Sequence, residues 1–357
     1  MRISYLSFWT AKDDESQAEA YDANLKEILS LDGMGWDSVW LGGVPLMGML
    51  PDPLLLCAAI AARTEEIKIG TAVHLPGLKT ASSELTAEIK EGGSTINRRG
   101  TTLDRFAWAF NHYTPANPLQ TAEQIAMLDQ LSNGRFIYGA GGDTAGDEVR
   151  LRHFHEYLNV LRQALTEEQF SGFEGEFYSY KALPANSQFM PRCVQQPHPP
   201  ILLPIDSQQS FEPMGRLGYR IAIGGGSMHN ERGDAVLKDD VKRYRQAWRQ
   251  AEHEGEPSVT VRMSTFVAST QQEANRVRKD SEKKQADYLT ERGQSQQKAR
   301  SPDLFGTAEE VVDRILQLQE DFGADEIMCA MLGWRSSRED VAKCIRLISE
   351  KVIPKVI

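Results

Sequence analysis

The chain has 357 residues, 41% of them hydrophobic and 25% charged, which suffices for a packed core in one large α/β barrel or two ordinary domains. Its net charge of −10 and pI near 5.3 disfavour nucleic acid as a partner, because phosphate binding needs clustered Lys and Arg. No apolar run approaches the length of a membrane span, and the start MRISYLSFWTAKDDES reads as a strand followed by an acidic loop, so no membrane association is expected, while four cysteines that read as free thiols make the cytoplasm the expected location.

In chain order, residues 1–9 read as strand one, and 17–34 have helical spacing that stops at Gly35. Residues 37–42 are strand two, 53–63 a helix and 67–74 strand three. Residues 118–131 are helical, Asn133 and Gly134 turn the chain, and 136–140 form strand four. A helix over 153–166 follows, with Leu158, Leu161 and Leu165 on one face. An irregular, proline-rich stretch leads to strand five at 201–205, a helical turn at 212–217 and strand six at 219–223. Residues 239–254 are helical, 259–268 are strand seven, and helix resumes at Gln271. Residues 285–301 lack an apolar stripe and are expected to be mobile or solvent-facing. Thr307 to Glu310 has the spacing of a capping box. Residues 326–331 are strand eight, and 338–353 the closing helix.

One phrase occurs twice: PDPLLLCAAIAARTEEIKIGTAVHLP and NPLQTAEQIAMLDQLSNGRFIYGAG. Each runs from a proline beside a polar residue through a helix into a short apolar strand ending in small residues. Repeated helix–strand units predict a parallel sheet wrapped by helices, with the active face at the carboxyl strand ends. Eight strands in this alternation predict a single α/β domain over 1–357, a (β/α)8 TIM barrel. No GxGxxG phrase follows strand one, which argues against a dinucleotide fold. Residues 77–116 form a long insertion after strand three, far beyond an ordinary βα connection, and read as a lid, a surface excursion or a dimer contact. Cys57, Cys193, Cys329 and Cys344 form no CxxC pair and are expected to be buried free thiols.

With GWDSVWLG, EGEFYSY, QQPHPPILLP and GADEIMCAML, these phrases resemble the bacterial-luciferase-like flavin monooxygenases, in the right order over almost the whole chain. LDQLSNGRF is quite specific to that family. The resemblance implies a (β/α)8 barrel, commonly dimeric, that binds reduced FMN supplied by a flavin reductase and oxygenates a small-molecule substrate. A sister branch uses a deazaflavin. It also implies that Thr71, Ala72 and Val73 lie beside the flavin ring, where a non-proline cis peptide is common, and that Ala72 and Gly141 leave room for it. Ser207 and Ser210 match the hydroxyl residues that hold the flavin phosphate; simple helix capping is the alternative.

The chain also departs from the family. Gly43, Val44 and Pro45 stand where a Glu-His-His phrase is common, and Gly141, Gly142 and Asp143 where an Arg often grips the phosphate. Either the cofactor sits differently, or another Arg compensates, or the chain is a catalytically silent subunit paired with a homologue. A homodimer and a heterodimer thus both remain open. His74 and His112 are the candidates to replace the catalytic histidine, with a structural, hydrogen-bonded role as the alternative for each. His153 and His155, two apart on a helix, do not face each other, and no metal triad is expected.

Overall fold

The computed structural model describes residues 1–9, 11, 15–43, 50–76, 116–141, 148–205, 207–224, 233–291, 303–331 and 336–357. Its first half alternates β1 (Arg2–Phe8), α1 (Gln17–Leu29), β2 (Ser38–Gly42), α2 (Pro53–Ala61), β3 (Lys68–Thr71), α3 (Pro118–Leu131), β4 (Phe136–Gly139) and α4 (Glu148–Thr166). A two-residue hairpin, β5 (Phe173–Glu174) with β6 (Ser179–Tyr180), precedes β7 (Ile201–Pro204), α5 (Phe211–Leu217), β8 (Arg220–Gly224) and α6 (Gly233–Gln250). The chain closes with β9 (Val259–Ala268), α7 (Gln271–Glu291), β10 (Asp303–Thr307), α8 (Ala308–Phe322), β11 (Glu326–Met331), α9 (Arg338–Leu347) and α10 (Ile353–Val356).

Strands β1, β2, β3, β4, β7, β8, β9 and β11 pair in parallel in that order and close on themselves, which is the expected (β/α)8 TIM barrel. β10 is an extra strand: it pairs with residues 264–268 of β9, beyond the stretch 259–262 that β8 covers. The sequence pattern missed β10 and the small hairpin. It also underestimated α7, whose helix runs through Glu291; the rest of the expected mobile stretch, 292–301, lies outside the described residues.

The repeated phrase folds the same way twice. Asp52 Oδ1 accepts from the amides of Leu54 and Leu55 at 3.0 and 3.3 Å, with Pro53 in the first turn of α2. Asn117 Oδ1 accepts from Leu119 and Gln120 at 2.9 and 3.4 Å, with Pro118 in the first turn of α3. Capping boxes start α1 (Ser16 with Glu19) and α8 (Thr307 with Glu310).

Side chains alternate across the barrel wall. Leu6, Trp40, Ile137, Leu202, Ala222, Met328 and Ala330 fill the inside, while a larger apolar layer, including Tyr138 and Tyr157, lies between sheet and helices. At the amino end of the interior, the buried Glu326 carboxylate accepts from Ser4 (2.5 Å), Ser38 (3.2 Å), Trp40 Nε1 (2.9 Å) and Thr260 (3.1 Å), with Arg2 at 3.8 Å. A buried charge is stable there because donors from several strands converge on it. All four cysteines are buried free thiols. No described helix is long and apolar enough to cross a membrane.

Candidate active site

The carboxyl end of the barrel is built by extending the inward rows. Phe8 continues Leu6 and is 40% exposed; Gly42 continues Trp40, Gly224 continues Ala222, and Arg262 continues Thr260. The Arg262 guanidinium carbon lies 5.6 Å from the centre of the Phe8 ring, a cation–π distance. Sequence reasoning missed Arg262 and Phe8, because in an alternating strand a lone Arg reads as an outward residue.

At the ends of β3 and β4 the packing is close. The Ala72–Val73 peptide is cis, as the resemblance implied. Thr71 Oγ1 donates to the Gly139 carbonyl at 2.7 Å and accepts from the Gly139 amide at 3.0 Å. A β-carbon on Gly139 would lie 1.7 Å from the Thr71 carbonyl oxygen, so only glycine allows the approach. One on Gly141 would lie 2.5 Å from Val73 Cγ2. The space left by the missing Gly141 side chain, expected to lie beside a ring, is bordered by Val73 and Leu75. Half-exposed Ala72 packs against the inner cluster.

His74 lies elsewhere. Its Nδ1 is 2.8 Å from the Tyr138 hydroxyl, which is 3.4 Å from that of Tyr157, and Tyr138 belongs to the layer between sheet and helices. Burial pushes the His74 pKa down to about 4, against a small opposing pull from Asp52. The ring is therefore neutral at pH 7, and the expected proton-transfer candidate stands on the helix side of β3, away from the barrel axis. Burial likewise raises Tyr138 well above the usual phenol range and Tyr157 to about 12. His112 lies outside the described residues.

Ser207 and Ser210 follow β7. Their hydroxyls lie 2.7 Å apart, Ser207 exposed and Ser210 half-buried, and neither caps the helical turn that follows. Helix capping therefore does not explain the pair. Gly43, in the place of the family's acidic residue, has no space for a side chain: a β-carbon there would lie 2.2 Å from the Leu50 carbonyl oxygen. The family phrase LDQLSNGRF proves structural. Buried Asp129 accepts from the Gln195 amide (2.8 Å) and Nε2 (2.7 Å), and Arg135 bonds to the end of α2. Among the described residues no cluster of His, Cys, Asp or Glu could hold a metal.

A family model described as luciferase-like monooxygenase matches residues 1–83 and 109–326, and the unmatched 84–108 falls inside the long insertion. The beta chain of alkanal monooxygenase from Photorhabdus laumondii is 33% identical over 88 residues, 22% of this chain and 27% of that one. Limonene 1,2-monooxygenase of Rhodococcus erythropolis is 24% identical over 180 residues, 46% of this chain and 36% of that one. The chain thus spans about a quarter to a third of the length of these two relatives. A monooxygenase from Streptomyces bottropensis superposes with a TM-score of 0.75 at 22% identity, covering 100% of both chains. The oxygenating constituent of 3,6-diketocamphane monooxygenase from Pseudomonas putida, solved with FMN, gives 0.70 at 18%, covering 100% and 99%. The coenzyme F420-dependent tetrahydromethanopterin reductase of Methanopyrus kandleri gives 0.62 at 15%, covering 100% and 99%. At these identities the structures share the fold, and it is the family model, matched over 1–83 and 109–326, that establishes descent: the chain belongs to the luciferase-like monooxygenase family.

Proposed function

We propose that the chain is a flavin-dependent monooxygenase that takes reduced FMN from a separate reductase and places one oxygen atom of O2 into a small organic substrate. The observation that carries this reading is the Ser207–Ser210 hydroxyl pair, turned out together at the carboxyl end of β7 and committed to no helix end. Two such hydroxyls suit a phosphate, whose oxygens accept hydrogen bonds. The residues present fit the group at that point. When bound, a reduced flavin supplies the electrons that activate O2.

The chain does the rest. Ser207 and Ser210 anchor the phosphate. Ala72 and Val73 border the ring, with Val73 and Leu75 closing the wall over Gly141 against water. Arg262, braced by Phe8, places a positive charge in the mouth. His74 serves as a positioning residue, tying the end of β3 to β4 through Tyr138. A cytoplasmic location fits the four reduced thiols.

Two other readings each have an observation behind them. The F420-dependent structural neighbour favours a deazaflavin on the same barrel, and the blocked position at Gly43 favours a silent subunit. Anaerobic titration of the purified chain with FMN, reduced FMN and a deazaflavin separates them. Reduced FMN is expected to bind, and Ser207→Ala with Ser210→Ala to weaken it about tenfold or more per hydroxyl, with unchanged melting. Preference for deazaflavin, or binding of no flavin, would replace the proposal by the corresponding rival.

A further inference from the structure

We infer that Arg262 is an anion-binding residue of the barrel mouth. It receives a delocalised negative charge at the carboxyl strand ends: the N1–C2 carbonyl edge of a reduced flavin, or a carboxylate on the substrate. The inference rests on the reading of the mouth as the active face.

Three observations place the residue there. Arg262 sits two positions above Thr260, whose hydroxyl bonds inward to Glu326, and it pairs in register with Gly224 on one side and Met328 on the other. Met328 is part of the inner cluster, so the Arg262 side chain rises from the interior wall toward the opening. β9 is the seventh strand of the closed order and β3 the third, so Arg262 stands across the barrel from Ala72 and Val73.

The neighbours are shaped around this cation. The Phe8 ring faces the guanidinium at 5.6 Å, and Gly42 makes room for that ring: a β-carbon on Gly42 would lie 2.6 Å from it. Gly224, at φ +137°, lets β8 approach the Arg262 backbone closely: a β-carbon there would lie 2.6 Å from the Arg262 carbonyl oxygen and 3.0 Å from Arg262 Cβ. A guanidinium stacked on an aromatic face keeps its N–H fork in its own plane, the geometry that matches a two-atom anionic edge. Lysine offers the charge without the fork.

The test uses Arg262→Met, Arg262→Lys and wild type, each checked for native melting and circular dichroism. Two titrations are read for each: oxidised against anaerobically reduced FMN, and octanoate against octanol by thermal shift. If the flavin edge is the anion, Arg262→Met lowers the affinity for reduced over oxidised FMN by about tenfold. That ratio appears as a midpoint potential about 30 mV lower for a two-electron couple. If the substrate acid is the anion, the FMN ratio holds while octanoate binding falls about tenfold or more and octanol binding does not. Arg262→Lys is expected to recover part of either loss. Should Arg262→Met leave both the FMN ratio and octanoate binding at wild-type values, the assignment is overturned. Failure of wild type to bind any flavin counts against the proposed function alone, because the octanoate arm still decides for or against Arg262.

Discussion

Arg135 uses all five of its N–H donors on the joint between the two repeated units. Nε bonds to the Ser132 carbonyl; one terminal nitrogen bonds to Thr64 Oγ1 and the Ile67 carbonyl, the other to the carbonyls of Ala61 and Thr64. Lysine has three donors on one atom and cannot span that set. Arg135→Lys is expected to cost about 2–4 kcal/mol, read as a lower urea midpoint at unchanged slope. Glu326 is the matching case inside the barrel. Removing its carboxylate leaves Ser4, Trp40 and Thr260 without the acceptor they share, Ser38 keeping the Ser4 hydroxyl, so Glu326→Ala is expected to cost about 3–5 kcal/mol by the same measurement. His74 sets a pH dependence. Its folded pKa, about 4, lies below the usual value near 6.5 for the unfolded chain, so the unfolded state binds the extra proton between them. The stability that comes from keeping His74 neutral is fully present above pH 6.5 and is lost as pH falls toward 4. The stability difference between wild type and His74→Gln should therefore narrow across that window, followed by urea melts at stepped pH. A constant difference would mean that His74 titrates normally.

At the scale of elements, the strands that close the barrel were legible because each is a short apolar run bounded by turn residues, and the repeated phrase gave away its caps. The small hairpin was not, since two-residue strands leave no period to read. β10 was hidden by the polar residues before it: DLFGT is too short to alternate and shares Thr307 with the capping box of α8. Of the candidate site, register singled out Ser207 and Ser210 as candidates, and composition the small strand ends. Their use as packing space for Val73 and for the Thr71 carbonyl depends on three-dimensional approach, which no pattern shows. The long insertion leaves and rejoins the barrel at one point, where the Ala116 amide donates to the Pro76 carbonyl at 2.8 Å. A loop whose ends already meet closes at little entropic cost when shortened. Replacing residues 77–115 by a short Gly-Ser bridge is expected to preserve the far-ultraviolet circular dichroism and a single cooperative melt within a few degrees of wild type. Loss of cooperativity would show that the barrel depends on that segment.

The molecule as a whole presents one feature that the barrel does not need. Leu55 on α2 is 74% exposed, Met127 and Leu131 on α3 are 52% and 51%, and Met190 in the connection between β6 and β7 is 59%. These helices are neighbours, each burying its opposite face on the barrel. Scattered exposed apolar residues are ordinary, but four large ones on adjacent elements suit a surface that another subunit covers. A two-fold dimer is the simplest closed assembly, since each copy then offers the same patch to the other. Light scattering at micromolar concentration is expected to give twice the chain mass of 40.0 kDa. Leu55→Glu with Met127→Glu should drive it to the monomer mass, because burying two unpaired carboxylates at the centre of an apolar contact costs several kcal/mol. Neither side chain belongs to the barrel core, so the variant should keep its native circular dichroism. A monomeric wild type that gains its second subunit only when mixed with a homologous chain would redirect the patch to a heterodimer. A wild type that stays monomeric with both would leave these helices with no partner of this fold.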